Sequence, residues 1–295
     1  MSLGGFRVAA MAVAGLSLLV AGIGCTTRNR DYASPERLET GLVISLDGVG
    51  GYNWGPRWLR TGLDEAGVKA AIIIYDWSKG PTGLFVGDLM AKERNQVAAN
   101  DLASRVATYV SAMPNRPVTL IGHSGGAAVV VWALEAMPEN CKVERAILLA
   151  PALSPDYDLT KALRAVRSRL YVMYSGADVG LMGAGTAVFG TMDRQHSVSA
   201  GLVGFKLTPE ADLGEYTKVR QVGWSLSLLK MGHLGGHMGW TGTRFAREFL
   251  APIITRQRDP GDALVATTKA DESPAVKPAA SAPAPLPVPQ AANGK

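Results

Sequence analysis

The stretch Val118-Thr119-Leu120-Ile121-Gly122-His123-Ser124-Gly125-Gly126-Ala127-Ala128-Val129-Val130-Val131-Trp132 runs from a short β-branched and aliphatic segment into Gly-x-Ser-x-Gly and then, without a break, into an apolar segment of helical length. Strand, sharp turn and helix in that order are the layout of a nucleophile elbow, which holds one hydroxyl clear of the backbone. Small residues on both sides of Ser124 permit a turn that Cβ atoms would block. A five-residue pattern is weak by itself, so the weight rests on the strand and helix that flank it. The alternative is a Gly-rich turn ahead of an ordinary core helix.

Outward from this stretch, strand and helix signals alternate as a mostly parallel sheet requires. Strand runs read at 42–46, 69–75, 117–121, 143–149, 169–174 and 219–224, and helical patterns at 57–66, 92–112, 125–137, 159–167 and 241–254. The strand runs are apolar without polar alternation, as expected when helices cover both sheet faces. One α/β domain over about 30–256 accounts for them. With 295 residues, 47% hydrophobic and 19% charged, the chain is long enough for one sizeable core after both ends are set aside.

The two ends differ from the middle. Residues 1–24 hold Arg7, an apolar run from Val8 to Val20 and Ala-Gly-Ile-Gly before Cys25, which is the layout of a secretory signal too short for an ordinary spanning helix. The small residues before Cys25 resemble a bacterial lipobox, with Gly22 where Leu is usual. Lipidation at Cys25 would hold the protein to the cell envelope on the outer side of the cytoplasmic membrane. Cleavage to a soluble secreted form and retention as an uncleaved anchor are the alternatives. Cys141 is then the one other thiol, read as packing. Residues 259–295 carry Pro274, Pro278, Pro283, Pro285, Pro287 and Pro289 among Ala, Ser and Val, a composition expected to form an extended spacer without a core.

The net charge of +5 is mild and the basic residues are interleaved with acids. Lys161, Arg164, Arg167 and Arg169 form the densest group, read as a solvated helix face, with lipid headgroups a second reading. No nucleic-acid surface is expected.

From about residue 42 to 254 the chain resembles an α/β-hydrolase: the elbow, a Gly-rich loop after the first strand and the chain order of polar residues all fit. The resemblance implies helices on both faces of the sheet and, given the short span between the fourth and fifth strands, no large cap domain. It implies Ser124 as nucleophile. It implies Asp178, in Ser175-Gly176-Ala177-Asp178, as the acid, with Asp193 as alternative. It implies His237 as base, since Gly236 precedes it and a helix follows, with His233 as alternative. Oxyanion donors are expected from the N–H groups of Val49 and Gly125, although Asp47 stands where the family usually has His. His123 is read as packing, pointing away from Ser124, and His196 has no role. His233 and His237 are four apart, but the glycines between them and the missing Glu of His-Glu-x-x-His argue against metal. No cofactor is expected.

The activity implied is cleavage of a small or lipid-like carboxylic ester through an acyl-enzyme. Acyl transfer to an alcohol and thioester or amide cleavage use the same residues. A catalytically inactive binding module on the same fold is the alternative from another class. Apolar residues in 78–90 and 180–204 are read as pocket lining or core filler.

Overall fold

The computed structural model describes residues 31–78, 87–88, 91–178 and 191–264. The expected leader with Cys25, the Pro-rich stretch from 265 onward, and most of the loops at 78–90 and 180–190 lie outside the described residues.

Among the described residues, seven strands form one sheet: β1 (Leu42–Leu46), β2 (Ala71–Ile74), β3 (Val118–His123), β4 (Val143–Leu149), β5 (Val166–Tyr174), β6 (Val219–Gly223) and β7 (Asp262–Ala263). Their order is β2-β1-β3-β4-β5-β6-β7. Strands β2 to β6 run parallel, and β7 adds antiparallel to β6. The chain leaves β1 toward one edge and β3 toward the other, so a crevice opens at their carboxyl ends, where open α/β sheets bind ligands.

Every residue of β1, β3 and β4 is buried, which is why these strands read as unbroken apolar runs. Alternate residues serve opposite faces. Leu42, Ile44 and Leu46 enter one core with helices α3 (Lys92–Ala112), α4 (Gly125–Ala136) and α5 (Thr160–Arg164), through residues such as Leu102, Val106 and Leu163. Val43, Ile121 and Ile147 enter a second core with α2 (Trp54–Glu65), through Leu59 and Leu63, and with a last helical run over 243–254, through Phe245, Phe249 and Ile253. A short α1 (Pro35–Thr40) precedes β1, where Arg37 joins Asp64 at 3.0 Å and the Val68 carbonyl at 2.9 Å.

Three boundaries differ from the sequence reading. Helix α5 stops at Arg164, and β5 begins at Val166, where Val166 pairs with Val143. The basic group therefore divides. Lys161 and Arg164 stay on the helix, while Arg167 and Arg169 lie on the strand, 3.8 Å from Glu144 and 3.2 Å from Asp259. The last helical run begins at Thr243 and widens to a π-turn over Ala246–Leu250. Pro252, which has no N–H to donate, follows that turn in the next α-helical piece. The fold also continues past Arg258. Asp259 accepts from Tyr171 Oη at 2.7 Å, and Asp262–Ala263 pairs with Arg220 and Gln221, so the break in composition precedes the end of the sheet. Cys141 is buried in the first core and burial raises its thiol pKa, in keeping with packing.

Candidate active site

At the end of β3 the backbone turns back on itself at Ser124, with φ +53° and ψ −119°, a conformation that non-glycine residues rarely adopt. The turn is held from three sides. Ser124 N–H donates to the Leu149 carbonyl at 2.8 Å, and the Ser124 carbonyl accepts from Ala127 at 3.1 Å and Ala152 at 3.2 Å. The glycines answer to close approach. A Cβ on Gly122 would stand 2.5 Å from Ala127 Cα, and one on Gly126 would stand 2.3 Å from the Asp47 carbonyl oxygen. Gly126→Ala must push α4 off the end of β1 and is expected to destabilise the fold by about 2 kcal/mol or more. Gly176, with nothing within 4 Å of its added Cβ, supplies the control. Urea unfolding of both variants checks this, and equal stabilities would count against the reading.

The loop after β1 crosses directly over the serine. A Cβ on Gly48 would lie 3.1 Å from Ser124 Cβ and 3.6 Å from its Oγ. Asp47 Oδ1 accepts the Gly48 N–H at 2.9 Å, and Asp88 Oδ2 accepts the Gly50 N–H at 2.9 Å. Among the described residues, the Val49 N–H between them has no acceptor. The Val49 side chain stands against Gly125, 2.9 Å from where a Cβ would be. Gly125 is the first residue of α4, so its N–H has no intrahelical partner and carries the positive end of the helix dipole. The two N–H groups expected to face an oxyanion therefore belong to neighbouring residues beside Ser124.

Asp88 was not singled out in the sequence, because no local pattern marks it. Its buried carboxylate also takes the Ser78 hydroxyl at 2.5 Å and the Arg94 guanidinium at 2.5 Å, and its carbonyl takes Asn95 Nδ2 at 2.6 Å. These bonds fix the Gly50 end of the loop to α3.

The acid and base come from the turns after β5 and β6. His237 Nδ1 lies 2.6 Å from Asp178 Oδ2. A carboxylate accepts, so Nδ1 carries the proton and Nε2 of the neutral ring is left as a base. Ser175 Oγ donates to the Gly235 carbonyl at 2.6 Å, tying the Asp178 turn to the His237 loop. Burial, and then the neighbouring His123, hold the His237 pKa below the ordinary imidazole value, against the pull of Asp178 and Asp47.

The alternatives are placed elsewhere. His233 is fully buried, edge-on to Trp240 with 4.1 Å between centroids, and its Nδ1 accepts from Gly235 N–H at 3.0 Å. Burial pushes its pKa down to about 4. Asp193 is taken up by Ser154 N–H at 3.0 Å, Ser154 Oγ at 2.6 Å and the Thr191 hydroxyl. His196 is exposed. Among the described residues, no group of three His, Cys, Asp or Glu side chains is placed to hold a metal ion.

His123 is buried, in keeping with packing, and the ring beside it is that of His237, 4.6 Å away between centroids. Its Nε2 donates to the His237 carbonyl at 3.2 Å, which holds the His237 loop against the elbow. Its Nδ1 faces Asp47 Oδ1 at 3.7 Å, beyond hydrogen-bond length. Asp47 thus caps Gly48 and gives the adjoining imidazole an acidic neighbour.

Two pH dependences follow. A base must be neutral to accept a proton, so a lowered His237 pKa moves the acid limb of kcat/KM below pH 6.5; a limb above that value would contradict the site. His233 affects stability instead. Below its ordinary 6.5 the unfolded chain binds a proton that the native chain refuses until about pH 4. Its contribution is therefore complete above pH 6.5 and is lost as pH falls from 6.5 toward 4. Urea midpoints across that interval should decline; a flat profile would argue against the burial.

A family model described as "Serine aminopeptidase, S33" matches residues 82–198, a span that takes in Ser124 and Asp178 and ends before His237. A search of curated proteins finds no match. Among solved structures, the chain is similar to Aspergillus fumigatus lipase B, with 13% identity, TM-score 0.44, and 80% of this chain and 56% of that one covered. It thus spans just over half the length of that lipase. It is also similar to Est1E from Butyrivibrio proteoclasticus, with 11% identity, TM-score 0.39, and 75% and 90% covered. LpqC, a poly(3-hydroxybutyrate) depolymerase from Bordetella parapertussis, gives 14% identity, TM-score 0.44, and 80% and 84% covered. The parallel sheet from β2 to β6, the elbow after β3 and the helices on both faces give the chain the α/β-hydrolase fold, with the short α5 in the connection from β4 to β5.

Proposed function

We propose that this chain is a serine hydrolase that cleaves carboxylic esters through an acyl-enzyme. The observation that carries the reading is the 2.6 Å bond between His237 and Asp178, set beside a strained Ser124 at one end of the sheet. Ser124 Oγ attacks the ester carbonyl as His237 Nε2 takes its proton. The N–H groups of Val49 and Gly125 stabilise the oxyanion. Collapse of the tetrahedral intermediate expels the alcohol, which leaves with the proton held by His237. Water, deprotonated by the same nitrogen, then releases the acid. Asp178 keeps Nδ1 protonated and stabilises the imidazolium formed in each step.

In the same reading the protein acts outside the cytoplasm, held to the cell envelope by acyl chains on Cys25. The support is the sequence of residues 1–25. Incorporation of an alkyne-tagged fatty acid in the bacterial host should be lost in Cys25→Ser, and no incorporation in the parent would remove this part.

Purified protein assayed on p-nitrophenyl esters of graded acyl length, beside matched anilides and thioesters, tests the activity. The reading expects the highest kcat/KM on an oxygen ester. Turnover of anilides alone, or transfer to added alcohol with no free acid formed, would replace it.

A further inference from the structure

Large apolar side chains stand exposed on two segments that meet beside this site. Tyr52 follows the loop that crosses Ser124, and its ring lies 5.2 Å from that of Trp54. Trp54 opens α2, where a Cβ on the adjoining Gly55 would lie 3.0 Å from Thr241 and 3.3 Å from Asp47 Oδ1, so these rings belong to the rim of the site. Trp58 is one turn further along the same helix face. On the His237 segment, Leu234 and Met238 flank His237 along the chain, and Leu226 begins the 3₁₀ turn Leu226–Met231.

Trp54 is 56% exposed, Leu226 72% and Leu234 80%. Side chains that stand this far out do not line a pocket for a small molecule. They are not needed for the core either, since Leu59, Leu228 and Trp240 of the same segments fill it. Single exposed apolar residues are ordinary, whereas a group on two segments around one opening marks a contact surface.

The charges indicate which surface. Residues 51–63 carry Arg57 and Arg60 and residues 224–243 carry Lys230, with no carboxylate in either segment; the acidic neighbour is Asp76, bonded to Asn53, against these three cations. Aromatic rings bordered by cations suit the boundary between acyl chains and anionic headgroups. The chain also enters the fold beside this helix, with the Arg60 guanidinium 4.3 Å from the centre of the Tyr32 ring, seven residues after Cys25.

We propose that this face docks on an anionic lipid bilayer, seating the mouth of the site on the lipid surface so that the ester it takes is one presented there. The second clause rests on the ester reading; the docking does not.

The test uses the full chain carrying Ser124→Ala, which needs no turnover, and vesicles of phosphatidylglycerol with brominated phosphatidylcholine. Trp77, Trp132 and Trp240 are buried and Trp224 is half-buried, so bromine quenching reports mainly on Trp54 and Trp58. Tryptophan quenching is expected and should fall to the residual signal of Trp224 in the Trp54→Phe, Trp58→Phe pair. Trp54→Ser with Leu234→Ser should lower vesicle partitioning about tenfold, with the urea midpoint unchanged. Quenching undiminished in the Phe pair, or none in the parent, overturns the docking. Equal binding to phosphatidylcholine alone overturns the anionic assignment. A dimer in sedimentation that the Ser pair dissolves would assign the face to a second copy instead. A wild-type protein that docks and hydrolyses no ester would remove the ester reading and leave the docking.

Discussion

Ser124→Ala is expected to lower kcat on the best ester by about a million-fold while leaving the fold intact. The hydroxyl is the group that forms the acyl bond, and neither water nor a neighbouring side chain can take its position on the turn. The backbone should tolerate the change. Ala brings the same Cβ to φ +53°, and the bonds that hold the turn are made by the main chain, from Ser124 N–H to Leu149 and from Ala127 and Ala152 to the Ser124 carbonyl. Single-turnover kinetics with an ester, beside urea unfolding, separate the two effects. Retention of even a hundredth of the wild-type rate would mean that another group is the nucleophile.

Asp178→Asn is the second large effect, and its reason is the direction of one proton. The carboxylate can only accept from His237 Nδ1, which leaves Nε2 unprotonated toward the site. An Asn amide can donate to Nδ1 instead, which moves the ring proton to Nε2 and removes the base. A loss of about ten thousand-fold in kcat is expected, with little change in KM. His237→Ala should lose at least as much. His233→Ala should behave differently: its ring packs against Trp240 and Phe245, so its removal costs roughly 2–4 kcal/mol of stability and leaves kcat near that of wild type. If His233→Ala abolished turnover in a folded protein and His237→Ala did not, the assignment of the base would be reversed.

These expectations concern residues that were legible in the sequence to different degrees. The elbow could be read because β3 and α4 are buried almost throughout, so their apolar runs continue directly into and out of the glycines. Strands β1 and β4 fall at the residues read from the sequence for the same reason. The choice of His237 over His233 rested on Gly236 and a helical start after it; in the structure His237 opens a short 3₁₀ turn, and the α-helix begins at Thr243.

What could not be read depends on groups distant in the chain. Arg167, read as the end of a helix, lies on β5, where its partner Glu144 comes from another strand. His123 packs as its place on the turn implies, but its partner, the His237 carbonyl, lies 114 residues further on. Asp88 braces Gly50 across 38 residues, a separation at which no spacing rule operates. The rim of Tyr52, Trp54 and Leu234 was invisible because exposure, unlike apolarity, is a property of the fold.

The proposed reaction requires Ser124 to be a nucleophile activated by His237 and Asp178. A fluorophosphonate probe followed by peptide mass spectrometry measures this directly, whatever the natural ester. One adduct is expected, on Ser124, absent in Ser124→Ala and formed far more slowly in His237→Ala and Asp178→Asn. No adduct on the folded wild-type protein, or an adduct on another serine that persists in Ser124→Ala, would contradict it.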